Sequence, residues 1–237
     1  MAKIFLQAAW RKLIMANYEI DPNILKSYLP HKTELDLYNG KCYVSLIGFM
    51  FLNTKMLGVK VPFHINFEEV NLRFYVRYND NDIWKRGTVF IKEIVSKPAI
   101  TFVANTLYNE KYETMPMQHK WEMTDNALNI EYNWRKNKHW NSISIESENK
   151  LLDIAIGSEE EFITEHYWGY SKINDTQTKE YGVEHPRWQM YKTMDYKIDA
   201  HFAEIYGANF GYLQNAKPIS VFLAEGSEII IKTGRNI

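Results

Sequence analysis

The sequence predicts an α+β fold that is mainly antiparallel β. Three observations carry the prediction. Residues 67–77 alternate: Val70, Leu72, Phe74 and Val76 are apolar, while Glu69, Asn71, Arg73, Tyr75 and Arg77 fill the opposite phase, as in a strand with two unlike faces. Tyr38-Asn39-Gly40 lies between two strand-like runs, and Asn-Gly favours the type I′ hairpin turn. The chain also carries 16 Tyr, 7 Trp and 12 Phe, which favour pleated surfaces and bury large areas, so a sheet-rich core is expected.

The first legible element is a short helix. Asp21 caps it, Pro22 takes its first position, Ile24, Leu25, Tyr28 and Leu29 supply the apolar stripe, and Pro30 closes it. Leu35-Asp36-Leu37 and the run around Val44 are then expected to pair across the Asn-Gly turn. Residues 41–52 form a long apolar run, with a bulge or bend expected at Gly48. Residues 53–62 read as a loop, 67–77 as a strand, Asn79 to Asp82 as a turn and Thr88 to Ile94 as a strand.

Next the period changes. Ser96 is expected to cap a helix in which Ile100, Val103, Ala104 and Leu107 recur at helical spacing. Pro98 fits its first turn, and the helix should end near Tyr108 or Asn109. Strands return at 115–123 and 128–135, followed by a short one at Ile143 and Ile145. Ser158-Glu159-Glu160-Glu161 reads as a capping box opening a helix to about Tyr167. Residues 171–182 look polar and loop-like, and 188–205 mix strand and short helical pieces. Ser220 to Leu223 and Ile229 to Ile231 read as two strands around a Glu225-Gly226 turn.

Residues 1–237 are expected to form one domain, since 46% apolar content supports a sizeable core and no linker or repeat divides the chain. A net charge of -1 without a basic tract argues against a nucleic-acid partner. Cys42 is the only cysteine, which precludes an intrachain disulfide and suits a reducing compartment; it reads as a buried small hydrophobe. With no leader and no apolar run near the roughly 18 residues that span a bilayer, a soluble, cytoplasmic protein without a membrane partner is expected. Phosphate-loop, dinucleotide, HExxH and G-x-S-x-G signatures are absent, so no cofactor and no metal are expected. The histidines are scattered; a spatial trio of His64, His119 and His185 is the one metal arrangement considered. A homodimer is allowed but unspecified, and a small molecule is the expected partner class.

The functional question rests on the polar row at 69–77. It can be a solvent face, a salt-bridge network or the wall of a ligand pocket. Two arginines would suit a carboxylate or phosphate, and Glu69 would orient one of them or act as an acid or base. The aromatic clusters His166-Tyr167-Trp168-Gly169-Tyr170 and Glu184-His185-Pro186-Arg187-Trp188 read as pocket rims or as anchors for irregular segments.

These residues also carry a resemblance. Asn17-Tyr18, Asp21-Pro22, Leu29-Pro30, Glu34-Leu35-Asp36 with Gly40, Phe67 to Arg73 through Tyr75-Val76-Arg77, Gly87-Thr88-Val89-Phe90, Ala104 to Tyr108, Phe162 to Tyr167, His185-Pro186-Arg187-Trp188 and Ser220 to Leu223 occur in the order seen in the YqjF-like family of uncharacterised conserved proteins. That family resembles the acetoacetate decarboxylase superfamily. The resemblance implies a strongly curved, cone- or barrel-like antiparallel sheet with short outer helices and an internal cavity. It also implies that Glu69, Asn71, Arg73 and Tyr75 look inward. Decarboxylases of this kind use a Schiff-base lysine after the returning helix. Here Tyr112 falls at that position and Lys111 at the preceding proline; a one-residue shift would restore Lys111.

Two main readings follow. In the first, the chain is a binding module whose cavity takes a small carboxylate or keto acid through Glu69, Asn71, Arg73, Tyr75, Tyr112 and His166. In the second, it is a lyase or related enzyme acting on a keto acid, with Lys111 as nucleophile, Glu69 as acid or base and Arg73 as carboxylate clamp. A structural or protein-interaction role is the third.

Overall fold

The computed structural model describes residues 2–237. Its elements in order are β1 (Ile4–Glu19), α1 (Pro22–Leu25), β2 (Thr33–Leu35), β3 (Tyr43–Met56), β4 (Phe67–Asp80), β5 (Ile83–Val95), α2 (Pro98–Tyr108), β6 (Tyr112–Thr114), β7 (Met117–Met123), β8 (Ala127–Lys136) and β9 (His139–Asp153). They continue with α3 (Glu159–Thr164), β10 (Trp168–Asn174), β11 (Gln177–Glu184), β12 (Gln189–Asp199), α4 (Phe202–Tyr206), a 3-10 turn (Ala208–Gln214), β13 (Ser220–Lys232) and β14 (Arg235–Asn236). No helix among the described residues is long and apolar enough to cross a membrane.

The strands form one mostly antiparallel sheet that curves until it meets itself. The neighbours run β11-β10-β5-β4-β3-β1-β13, and Val183 opposite Ile231 pairs β11 back onto β13, closing a ring. From β13 the sheet also branches outward through β12, β9, β8 and β7. This branch folds over the outside of the ring. Leu128, Ile130, Tyr132, Trp134, Ile143 and Ile145 share a buried core with Val70, Leu72, Phe74 and Val76 of β4. A second core, containing Met15, Ile47, Phe49, Phe51, Phe67, Phe162 and Trp188, fills much of the opposite side. Strand β4 is therefore buried on both faces, which is what its two-phase pattern requires if neither face meets water.

Several expectations need correction. The long strand β1 is a full member of the ring, between β3 and β13, although residues 4–19 gave no clear strand signal. Both its faces are buried over most of its length, so polar residues do not alternate, and its pairing with β3 shifts register between Arg11 and Ile14, where Lys12 has φ 56°. That bulge lies in β1, across from Phe49 and next to the Ile14–Gly48 pair, rather than at Gly48 of β3. Asn39 and Gly40 do turn with positive φ, of 50° and 78°, but β2 pairs with β4 instead of β3. Ser96 does not cap α2; its hydroxyl donates to Glu68.

Ser158 does cap α3, accepting from the Glu161 N–H, yet Glu161 reaches to the Gly157 N–H and the helix stops at Thr164. The polar stretch 171–182 belongs to β10 and β11, whose charged residues find partners such as Lys85 and Arg235 on Glu180. Residues 220–232 are one continuous strand that passes through Gly226 at φ 78°.

Gly48 is fixed by the outer layer. A Cβ there would lie 2.9 Å from Tyr132 Cδ2 and 3.0 Å from Ile143 Cγ2. The Tyr132 ring cannot swing away freely, because its hydroxyl donates to the Lys12 carbonyl at 2.8 Å and accepts from Trp121 Nε1 at 3.1 Å. Gly48→Ala should destabilise the fold by about 1–3 kcal/mol through overpacking. Denaturant unfolding measures this; a midpoint equal to that of the natural chain would show that the outer layer is not seated on β3.

Candidate functional site

A cavity of about 60 Å³ lies inside the ring, and every ring strand contributes to its wall. Glu69, Asn71 and Arg73 come from β4, Thr88, Phe90 and Glu93 from β5, and Tyr181 and Val183 from β11. Beyond the ring strands, Tyr112 of β6 and the segment carrying Thr164, His166, His185 and Trp188 complete it. The inward polar row of β4 is thus a cavity wall as far as Arg73. Arg77 leaves the row at its far end and pairs with Glu34 at the surface.

Strand alternation decides between Lys111 and Tyr112. Parallel pairing sets Tyr112 beside Glu93, and the Asn105 side chain on α2 grips the Tyr112 backbone through both its N–H, at 2.7 Å, and its carbonyl, at 3.0 Å. Tyr112 turns inward and donates to Glu69 Oε2 at 3.0 Å. Lys111, one residue earlier, is exposed, and its ammonium lies 4.9 Å from the centre of the Tyr28 ring. Among the described residues, no lysine lines the cavity.

The polar groups divide into satisfied and unsatisfied ones. Asn71 Nδ2 donates to Glu69 Oε1 at 2.9 Å, and Arg73 Nη2 donates to the Ile163 carbonyl at 3.3 Å. Yet Asn71 Oδ1, Arg73 Nε, Glu93 Oε2 and His166 Nδ1 are buried without a partner. Tyr75, expected as a ligand contact, is instead engaged elsewhere. Its hydroxyl donates to Ser45 Oγ at 2.7 Å, since the Ser45 proton goes to Asn17 Oδ1 at 2.6 Å. The Tyr75 ring supports the site from behind, packing on His166 with centroids 4.7 Å apart.

His166 is held by Asp36, whose Oδ2 accepts from Nε2 at 3.1 Å and from Arg86 Nε at 2.6 Å. Burial opposes the charged form of Asp36, but the hydrogen bonds from His166 and Arg86 outweigh it and keep the carboxylate below its ordinary range. Burial dominates at His166 despite the Asp36 contact, pushing it down to about 4. The imidazole is therefore neutral near pH 7. With Nε2–H given to Asp36, Nδ1 is left as a bare acceptor.

The carboxyls shift the other way. Burial raises Glu69 to about 7, against opposing contacts from Asn71, Tyr112 and Arg73. Burial and then the charge of Glu110 raise Glu93 well above its ordinary range. Glu110 rises to about 8 by burial, although Tyr181 donates to it at 2.8 Å. Gly169 makes room for that tyrosine: a Cβ at this position would lie 2.1 Å from Tyr181 Cζ. The cavity thus joins the Arg73 guanidinium to two carboxyls, Glu69 and Glu93, whose charged forms burial disfavours.

Glu93, Glu110 and Tyr181 were not singled out in the sequence. Strand β5 bulges between Phe90 and Lys92, so its inward set changes phase from Thr88 and Phe90 to Glu93. Glu110 follows the left-handed Asn109 at the end of α2, outside any periodic pattern. His185 did stand out. It stacks between Tyr167 and Trp188, at 4.7 and 4.4 Å, and with Trp168, Tyr181 and Val183 it separates the cavity from an outer groove of about 750 Å³. Tyr170 is fully buried and is no part of the rim. His64, His119 and His185 do not come together: His64 contacts the Pro62 carbonyl and His119 pairs with Glu68.

A mostly antiparallel sheet curved into a ring of strands is the fold that this chain shares with acetoacetate decarboxylase-like proteins. An acetoacetate decarboxylase from Legionella pneumophila subsp. pneumophila str. Philadelphia 1 superposes with a TM-score of 0.67 at 11% identity, covering 99% of this chain and 88% of that one. An acetoacetate decarboxylase-like enzyme from Sphingomonas wittichii RW1 gives 0.66 at 8% identity over 98% and 92%. The enduracididine biosynthesis enzyme MppR, solved with pyruvate, gives 0.67 at 9% identity over 100% and 91%.

Within that fold, the chain belongs to the DUF2071 family, described as "Uncharacterized conserved protein", whose model matches residues 7–228. It is also 35% identical over 74 residues to the uncharacterised protein YqjF of Bacillus subtilis (strain 168), a match spanning 31% of each chain.

The shifted groups give stability a direction with pH. A buried Glu whose pKa rises from 4.5 contributes stability below about pH 4.5 and loses it as the pH climbs through about 7 for Glu69 and about 8 for Glu110. His166 acts oppositely, its contribution being complete above its ordinary 6.5 and lost as the pH falls through about 4. Between pH 6.5 and 8 the carboxyls dominate, so stability should fall as the pH rises. Glu110→Gln should remove about 1–2 kcal/mol of that fall. Urea unfolding at both pH values checks this; an unchanged slope would mean that Glu110 ionises normally.

Proposed function

We propose that this protein binds a small carboxylate, most simply a keto acid, in the ring cavity. The observation that carries the reading is that four residues lining this one cavity each hold a buried, unpartnered atom: Asn71 Oδ1, Arg73 Nε, Glu93 Oε2 and His166 Nδ1. Leaving such an atom unpaired costs about 1–3 kcal/mol, so the set favours a guest that completes it. Arg73 and a protonated Glu93 offer donors to a carboxylate. His166 and Asn71 offer acceptors to a hydroxyl, an enol or a bridging water. A volume of about 60 Å³ suits about four water-sized groups, the scale of a three- or four-carbon acid. The pyruvate in the structurally similar MppR supports the same ligand class.

A second reading is lyase-type chemistry on such an acid. It is favoured by Glu69, whose pKa near 7 and contact with Tyr112 suit proton transfer at neutral pH. In this reading Glu69 and Tyr112 move the proton and no Schiff base forms, because Lys111 points away from the cavity.

Calorimetry with pyruvate, acetoacetate and related acids tests the binding, and NMR of the same mixtures reports any turnover. Arg73→Ala should weaken binding by about 10–100-fold, the scale of a lost charge-assisted hydrogen bond. Equal binding by that variant removes Arg73 from the site. Unchanged acids in the NMR spectra remove the lyase reading while leaving the binding one.

A further inference from the structure

A second cluster of chemistry-bearing side chains lies in the outer branch of the sheet. His139 opens β9, Asp199 ends β12, and His201 follows two residues later, before α4. One ring nitrogen of each histidine and one carboxylate oxygen of Asp199 all lie within 4.8 Å of one another. Sequence spacing does not announce this grouping, since His139 and Asp199 stand 60 positions apart. It arises because β9 and β12 pair antiparallel, with Ser142 opposite Asp199.

The histidines are held in place by a buried residue. Asn141 is fully enclosed; its Oδ1 accepts from the His201 N–H at 2.8 Å and its Nδ2 donates to the Trp134 carbonyl at 3.3 Å. This fixes the His201 backbone beside β9. The two imidazoles then stack, with centroids 3.7 Å apart and planes 3° from parallel. His139 Nε2 is shut off from solvent and lacks a hydrogen-bond partner, although Asp199 Oδ1 lies 3.6 Å away. Glu204 stands outside this trio: one of its oxygens lies 3.6 Å from His201 Nδ1 and the other accepts from Asn137 Nδ2.

We propose that His139, Asp199 and His201 bind a divalent transition-metal ion of the zinc class, with solvent completing its coordination. Two imidazoles and a carboxylate form a donor set suited to Zn²⁺, and such ligands sit about 2.0–2.2 Å from the ion. Tetrahedral geometry then sets ligand atoms about 3.3 Å apart. The three ligand atoms lie within 4.8 Å of one another, with His139 and Asp199 3.6 Å apart; binding requires the stacked imidazoles, whose in-plane lone pairs now run parallel, to rotate apart and aim at the ion, which their partly exposed side chains allow. The metal would satisfy the unpartnered His139 nitrogen. It would also clip the β8–β9 turn to the junction of β12 and α4. The site shares no residue with the ring cavity, so it stands or falls independently of the ligand proposed there.

The test uses the full chain stripped with a chelator and titrated calorimetrically with ZnCl₂. One equivalent should bind with a Kd of about 10 µM or tighter and raise the melting temperature. His139→Gln and His201→Gln should each weaken binding at least tenfold, whereas His119→Gln, at the surface pair with Glu68, should not. Circular dichroism verifies that each variant is folded. Asp199→Asn, at an exposed side chain, replaces any variant that is not, with the same expected loss. Co²⁺ loaded in place of Zn²⁺ should give visible d–d absorption that vanishes in these variants. Binding weaker than about 100 µM, or binding that any of the three cluster substitutions leaves unchanged, overturns the proposal.

Discussion

The structure depends on one constraint: β4 is buried on both faces. Its outward face, Val70, Leu72, Phe74 and Val76, carries the branch of β7, β8 and β9. Its inward face carries Glu69, Asn71 and Arg73 into the centre of a closed ring. Apolar packing outside fixes the register, and the register fixes where the polar groups point. A slip of one residue would send the charges into the outer core and strand the apolar row inside. The chemistry of the cavity is thus held by packing that never touches it. Gly48, where β3 accepts the Tyr132 ring, is one of the points at which that packing leaves no slack.

The interior is polar without being self-sufficient. Asn71 and Tyr112 both donate to Glu69, and Asp36 holds His166, so part of the network is complete. The remainder is not. An unpartnered guanidinium nitrogen, amide oxygen, carboxyl oxygen and imidazole nitrogen belong to four residues that line one small space. A protein shaped only for stability would replace such groups with apolar ones or pair them internally. Phe49, Phe51 and Trp188 stand among them in the same wall, and it is on this contrast that the proposed ligand site rests. The inward Tyr112 and outward Lys111 separate this interior from the amine chemistry that the resemblance to decarboxylases suggested.

Much of the architecture was legible where one signal dominated. The phase of 67–77, the alternation of Leu128 to Trp134 and the Ser158 cap each follow from local sequence, and the resemblance supplied the curvature. Signals failed where tertiary structure overrode period. Strand β1 is buried on both faces and bulged at Lys12, so it does not alternate. Strands β10 and β11 read as loop because their polar residues are satisfied by partners far along the chain. Within the site, Glu69, Asn71, Arg73, Tyr112 and His166 could be named in advance. Glu93 was hidden by a change of phase at the β5 bulge, and Tyr75 shares the inward phase but spends its hydroxyl on Ser45. Alternation gives the side a residue faces; it does not give the partner found there.

The central claim is that the inward face of β4 is completed by an anionic guest. A crystal structure grown with excess pyruvate tests it most directly. The account expects carboxylate density inside the ring, within hydrogen-bond distance of Arg73 Nε, with His166 Nδ1 or Asn71 Oδ1 also engaged. Clear density for Arg73 paired with Glu69 or Glu93 across a cavity without the acid would contradict it.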